Sequence, residues 1–338
     1  MLNNRKKIIL IITIIILFFG LLIMFLLLNK NKNNNNTNST KTTNAKQILN
    51  DTIFFPTINE NSELLYIAGK EQAIIKYSLK DKTTIKNYPI DVPYINYVSW
   101  SNDKKLILMN TTDQINNLEI FYTYNLEQEK LSKLNENIFD PYWSDDKLIY
   151  EYLDVSKVSI NQSDWDGTNF QKISDPENCD EFKYYNPDTQ DIYCENVKED
   201  MLVDFVRLNL KSKKKDILYE NVFITEKIYP SEQKILIQYK KEDNNIFEII
   251  NTTDGSIFKI NNITNNQNLD KFNLISDKLY YSLNNKVTSE DNIFIADTKT
   301  NTIEQKQFIG ENLDPTTILL DSNNLIYFLS NNYLYKFN

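Results

Sequence analysis

The sequence predicts an all-β fold, a seven-bladed β-propeller of four-stranded antiparallel blades, from three observations. A short pattern of a large apolar or aromatic residue, a polar turn and a hydrophobic strand returns seven times. It begins at Ile58, Trp100, Trp143, Tyr185, Tyr229, Ile275 and Leu320. The intervals between these anchors run from 42 to 46 residues, the length of one four-stranded blade. A second half follows in most copies, with two more alternating runs around a polar turn, as in AIIKYSL–KDKT–TIKNYPI at 73–90. Alternation of that period is a strand signal, and four strands repeated seven times read as a ring.

Taken from the N-terminus, residues 1–7 form a short basic tail with Arg5, Lys6 and Lys7. Residues 8–28 are apolar, broken only by Thr13 and Gly20. A helix of that length spans the roughly 30 Å of a bilayer core. The run is longer than the apolar part of a cleavable leader, about 7–15 residues. It ends Phe25-Leu26-Leu27-Leu28-Asn29, without small residues at cleavage spacing. It is expected to remain as a single-pass signal anchor in the cell membrane. Flanking positive charge places the N-terminus in the cytoplasm and the rest of the chain outside it. Residues 29–44 (NKNKNNNNTNSTKTTN) are a low-complexity stalk with no apolar period, expected to be disordered. Residues 45–338 are the propeller.

The first turn of each repeat must reverse the chain within a few residues and accept a left-handed backbone. The chain holds only 5 Gly, and none lies in a first turn. Asn and Asp are expected to replace it, because their short side chains bond to nearby backbone groups. The aromatic anchors are expected to pack as plates between neighbouring blades rather than to line a ligand box.

Residues 143–150 (WSDDKLIY) and 100–107 (WSNDKKLI) resemble the W-S-P-D-G-(K/R)-x-(I/L) turn of TolB-type (WD-repeat-like) propeller repeats. Residues 160–173, with Asp166-Gly167-Thr168-Asn169, resemble the second signature of that family, a strand ending in D-G-(S/T)-N. Residues 251–256 (NTTDGS) are a partial match. Such repeats also build the propeller of prolyl-oligopeptidase-like enzymes, which add an α/β-hydrolase domain. The 338 residues leave no room for that domain beside seven repeats, and there is no His for its triad.

Composition excludes more. Without His there is no Ser-His-Asp triad, no Cys-His dyad and no imidazole metal site. Two Cys cannot build a zinc or iron–sulfur cluster, and five scattered Gly make no phosphate loop. No catalytic residue, metal or cofactor is therefore expected. Residues 1–47 carry 7 of the 37 basic residues and none of the 46 acidic ones, so the remainder has an excess of 16 negative charges. A domain that acidic repels phosphate backbones, and nucleic acid is not an expected partner.

The expected role is a membrane-tethered, non-enzymatic protein-interaction or scaffold module with an unknown protein partner. The alternative is a glycan-binding or carboxylate-based carbohydrate-active protein. Facing carboxyl groups roughly 5–10 Å apart beside an exposed Trp or Tyr at the ring's mouth would favour the alternative. Cys179 and Cys194 flank the Asn186-Pro187-Asp188 turn of the fourth repeat. An oxidising exterior permits a disulfide between them, and two buried free thiols fit equally well. Finally, the seventh repeat supplies only three strands. An open edge needs covering, and the unassigned residues 45–50 are expected to lie beside Tyr333–Phe337 as its fourth.

Overall fold

The alternating runs fold as strands. The computed structural model describes residues 45–337 apart from 70–71, 114–115, 156, 176–178, 199–201, 225–228, 232, 242–243, 261–270, 276, 283–289, 301 and 312–315. The expected anchor at 8–28 and stalk at 29–44 lie outside the described residues. Among those residues there are strands and no helix, and no segment is a helix long and apolar enough to cross a membrane.

A lone strand β1 (Ala45–Leu49) comes first. The first repeat is β2 (Ile53–Ile58), β3 (Glu63–Ala68), β4 (Ala73–Ser78) and β5 (Thr83–Pro89). The second is β6 (Ile95–Trp100), β7 (Leu106–Thr112), β8 (Glu119–Asn125) and β9 (Lys130–Lys133). The third is β10 (Ile138–Ser144), β11 (Lys147–Asp154), β12 (Lys157–Ser163) and β13 (Gln171–Ser174). The fourth is β14 (Glu181–Asn186), β15 (Asp191–Val197), β16 (Val203–Asn209) and β17 (Lys215–Ile224). The fifth is β18 (Tyr229–Ser231), β19 (Lys234–Lys241), β20 (Asn244–Asn251) and β21 (Ile257–Lys259). The sixth is β22 (Lys271–Ile275), β23 (Lys278–Ser282), β24 (Glu290–Asp297) and β25 (Thr302–Glu311). The seventh is β26 (Thr317–Leu320), β27 (Ile326–Ser330) and β28 (Tyr333–Phe337).

Within each repeat, strands pair antiparallel in chain order. First strands of successive repeats touch one another, β2 with β6 and β26, β6 with β10, and β22 with β26. They therefore stand innermost, around the axis of a β-propeller. β1 joins the last sheet as expected, pairing Ala45 with Phe337, Lys46 with Lys336 and Gln47 with Tyr335. A second link holds the seam, from Ile53 N–H to the Asn332 carbonyl at 2.9 Å.

The expectation of seven separate four-stranded sheets is corrected in one place. Five four-stranded sheets stand alone, and the fourth and fifth repeats form one eight-stranded sheet. The cause is the length of β17, 10 residues. It overruns β16, and Phe223 and Ile224 pair with Lys240 and Tyr239 of β19.

Apolar side chains collect between repeats rather than in one central core. One cluster joins Ile58, Tyr66 and Tyr77 of the first repeat to Leu319, Tyr327 and Leu334 of the seventh. Another runs from Leu65 and Ile74 to Val98, Ile107 and Tyr124 of the second. The series continues around the ring between each successive pair. Ile58, Trp100, Trp143, Tyr185 and Leu320 pack in these clusters. Ile58, Trp100, Ile275 and Leu320 end β2, β6, β22 and β26; Trp143 and Tyr185 stand one residue from the ends of β10 and β14; Tyr229 opens β18. Both indoles reach back to the preceding inner strand, Trp100 Nε1 donating to the Phe55 carbonyl (2.9 Å) and Trp143 Nε1 to the Ser99 carbonyl (3.1 Å). Each indole thus buries an apolar plate and satisfies its one donor.

The turn expectation holds in part. Asn59, Asn186 and Asp321 each use Oδ1 to accept backbone N–H groups of their own turns, at 2.9–3.3 Å. The left-handed position itself is taken by Ser62, Lys104, Gln190 and Gln233 as well as by Asp145 and Asn324. Lys104, Gln190 and Gln233, whose long side chains do not bond to the turn backbone as Asn or Asp does, thus adopt a costly conformation because the flanking strands fix it.

Candidate functional site

Antiparallel order puts the turns after first and third strands at one end of the ring, here the lower face. The connections after second strands, and those leading into the next repeat, form the upper face. The two faces differ in chemistry. Tyr94 (66 % exposed), Tyr97 (57 %), Val155 (97 %), Phe54, Leu118 and Phe139 all expose apolar surface on the upper face. At the lower turns the exposed large apolar residues are fewer, Phe170, Ile257 and Leu325. The lower turns are instead stitched together by Asn102–Asp145, Gln233–Asp188, Lys234–Asp277 and Ser62–Ser322 contacts.

The inner strands are irregular where they meet the upper face. Ladder register shifts between Phe54 and Thr57, Ile95 and Tyr97, Phe139 and Tyr142, and Phe182 and Tyr184. Phe55 and Asp140, within two of these bulges, have φ of 49° and 46°. Bulges re-aim side chains at rims, and a left-handed Phe is strained. Each of these two residues precedes a proline, Pro56 and Pro141, which lacks an N–H for the ladder.

Carboxylates gather at the same end of the third and fourth repeats. Glu151 accepts the Phe182 N–H at 3.2 Å. Burial, then the nearby Asp140 and Glu181, raise its pKa above the ordinary value of 4.5, and the Phe182 bond and Lys183 only partly offset this. Glu195 is buried and likewise raised, chiefly by burial. Burial lowers Lys183, but its contacts with Glu181 (2.8 Å) and Glu195 (3.4 Å) outweigh that and raise it. Among the described residues no three carboxylates or thiols converge as a metal-ligand set. The exposed Tyr94 and Tyr97 belong to the entry into the second repeat, away in sequence from Glu151 and Glu195.

A raised carboxyl stabilises the fold fully below its unfolded pKa, and that contribution is lost as pH rises through the folded value. Glu151→Gln is therefore expected to melt higher than the native protein at pH 7. The gap should close as pH falls toward the ordinary value of 4.5. Equal melting temperatures at pH 7 would remove Glu151 from this account.

Cys179 and Cys194 are both free and buried, in the cluster between the third and fourth repeats. Cys194 lies opposite Phe182, and Cys179 stands just ahead of β14. The hydrogen bond to the Cys194 thiol, then burial, push Cys179 well above the usual thiol range. The structure carries the two as adjacent free thiols. A thiol held protonated and away from solvent is a poor nucleophile. Ellman's reagent is expected to leave both untouched in the native protein and to count two thiols after unfolding without reductant. Prompt native labelling, or no thiols in the unfolded chain, would contradict this.

The sequence matches no protein-family description and no curated protein. Solved structures match the fold. The β-propeller domain of the Trilobed protease from Pyrococcus furiosus aligns over 82 % of this chain and 91 % of its own, with TM-score 0.54 and 13 % identity. The uncharacterized protein lmo1340 from Listeria monocytogenes EGD-e aligns over 82 % and 89 %, with TM-score 0.58 and 13 % identity. The Pyrococcus horikoshii acylaminoacyl peptidase aligns over 83 % of this chain but 49 % of its own, with TM-score 0.55 and 14 % identity. The chain is similar to all three as a β-propeller. The P. furiosus propeller is described as having an open velcro topology, whereas here β1 completes the last sheet.

Proposed function

We propose that this protein is a non-enzymatic interaction module, a propeller whose upper face binds a partner protein. The observation that carries the reading is the concentration of exposed aromatic and aliphatic side chains, Tyr94 and Tyr97 foremost, on one face. Large aromatics at a loop-built surface are the residues that dominate protein–protein contacts. The excess of 16 negative charges beyond residue 47 suits a partner with an apolar anchor and a basic rim. We count the eight-stranded sheet as two blades, so that the ring has seven, and we read its repeats as TolB-type on the turn motifs at 100–107 and 143–150. Residues 8–28 tether it as a single-pass helix, with the N-terminus in the cytoplasm and the ring outside.

The test compares partners cross-linked to the full chain in native membranes with those of Tyr94→Ala/Tyr97→Ala. A partner held by the native protein and by a Leu325→Ala control, but lost from the double variant, supports the reading. The same proteins recovered with all three chains would overturn it.

A further inference from the structure

We infer that the upper face of the second and third repeats recognises an arginine-bearing segment of the partner protein, one in which cationic and apolar side chains are interleaved. This rests on the upper face being the interaction surface, and it names the chemistry that the face selects. Four of the exposed apolar residues there have a carboxylate close by in the chain. Leu118 is followed by Glu119 and Phe139 by Asp140, Val155 follows Asp154, and Asp91 stands three residues before Tyr94. Negative charge therefore lies within the apolar patch as well as around it.

These four carboxylates are exposed, and among the described residues none of them forms an ion pair or a side-chain hydrogen bond. Glu136 and Asp175, on links of the same face, are instead held by Lys133 (3.2 Å) and Lys172. Lys157, opposite Asp154 in the ladder, is the one basic residue on the turns and links that carry the four. Exposed carboxylates also occur on the lower turns, Glu60 and Asp146 among them. There a lysine lies near each, Lys105 and Lys147, and no exposed large apolar residue adjoins them in the chain. The upper sector thus joins apolar surface to unneutralised negative charge, which complements a basic partner. A second copy of this chain would set the same free carboxylates against these, so like charges oppose a face-to-face pair. Ala45 pairs with Phe337 at the lower end of the ring, so this chain enters the ring from the opposite face, and the segment comes from another protein.

Tyr94 and Tyr97 decide which cation. A guanidinium stacks on a phenol ring and offers a carboxylate two parallel N–H donors, whereas an ammonium is a compact, strongly hydrated charge. The sector supplies both ring and carboxylate. Tyr97 and Asp140 hold equivalent places on neighbouring inner strands, each three residues before its tryptophan. Trp143 ties those two strands together through the Ser99 carbonyl at 3.1 Å. A bulge adjoins each residue, between Ile95 and Tyr97 and between Phe139 and Tyr142, and bulges turn side chains away from the regular ladder.

The test selects a random-peptide display library against the full chain in detergent and measures the enriched peptides by fluorescence anisotropy. Enriched peptides are expected to carry arginines beside large apolar residues. Changing those arginines to lysine should weaken binding, and so should added salt. Asp91→Asn/Asp140→Asn keeps side-chain size and suits the left-handed backbone of residue 140. It should weaken binding about tenfold with an unchanged melting temperature. Glu60→Gln/Asp146→Asn removes the same charge from the lower turns and should leave binding intact. An equal loss there would reduce the effect to net charge and overturn the inference. No enrichment, enriched peptides without arginine, or binding indifferent to Asp91→Asn/Asp140→Asn would also overturn it. Peptides lost from Tyr94→Ala/Tyr97→Ala but indifferent to the asparagine variant would strike the charge reading alone and keep the upper face as the interaction surface. Peptides indifferent to both variants would strike both readings.

Discussion

A chain beginning at Asp51 is expected to melt roughly 3–5 °C below one beginning at Thr43. The shorter chain lacks β1, and with it the half-buried Ile48 and Leu49 on the seam between the first and seventh repeats, and Ala45 on the neighbouring cluster. Losing those contacts costs about 2–3 kcal/mol. Starting at Asp51 rather than Thr52 keeps the carboxylate that accepts the Tyr66 hydroxyl at 2.8 Å, so the difference reports the strand. β28 would then become an exposed edge that can pair with a second chain. Light scattering on warming should rise earlier for the shorter chain. Superimposable melting and scattering would show that the clasp carries no stability.

Phe205→Ala is expected to be the most damaging single change of this kind, costing about 3–5 kcal/mol and lowering the melting temperature by roughly 5–8 °C. Phe205 is fully buried in the cluster between the fourth and fifth repeats. It is the middle of a run of rings from Tyr184 through Tyr193, Phe205 and Tyr219 to Tyr239, with centroids 6.1, 6.3, 6.2 and 4.8 Å apart. The run crosses the joint where two repeats share a sheet. Tyr219 also donates to Glu248 of the fifth repeat at 2.6 Å, so the aromatic column is tied on both sides. Phe205→Leu should recover about half of the loss by refilling much of the volume. Urea denaturation measures both, and a loss below about 1 kcal/mol for alanine would mean that the site collapses without a cavity.

Much of this fold was legible because its signals are local. Trp100 and Trp143 announce the ends of inner strands by the polar turn that follows each, and the pattern recurs at a fixed period. The clasp was legible by counting, since a three-strand repeat at one end and a spare strand at the other have one economical solution. The shared sheet was not, because Phe223 and Ile224 simply continue an alternating run, and their partners Tyr239 and Lys240 are chosen in space. The bulges had a signal that went unused: Pro56 and Pro141 interrupt otherwise regular inner strands. The left-handed Lys104, Gln190 and Gln233 had none, since nothing in those side chains favours that backbone.

The pairing of β1 with β28 also fixes an order of events. During synthesis β1 emerges first among the ring's strands, yet its partner, Tyr333–Phe337, is made last. Each intermediate repeat can form its own hairpins early, because those contacts are local and cheap in chain entropy. Ile48 and Leu49 must wait, uncovered, while nearly the whole domain is translated. Ring closure is therefore the slowest-to-nucleate contact of the ring, and the nascent domain is most in need of a chaperone in the interval before β28 leaves the ribosome.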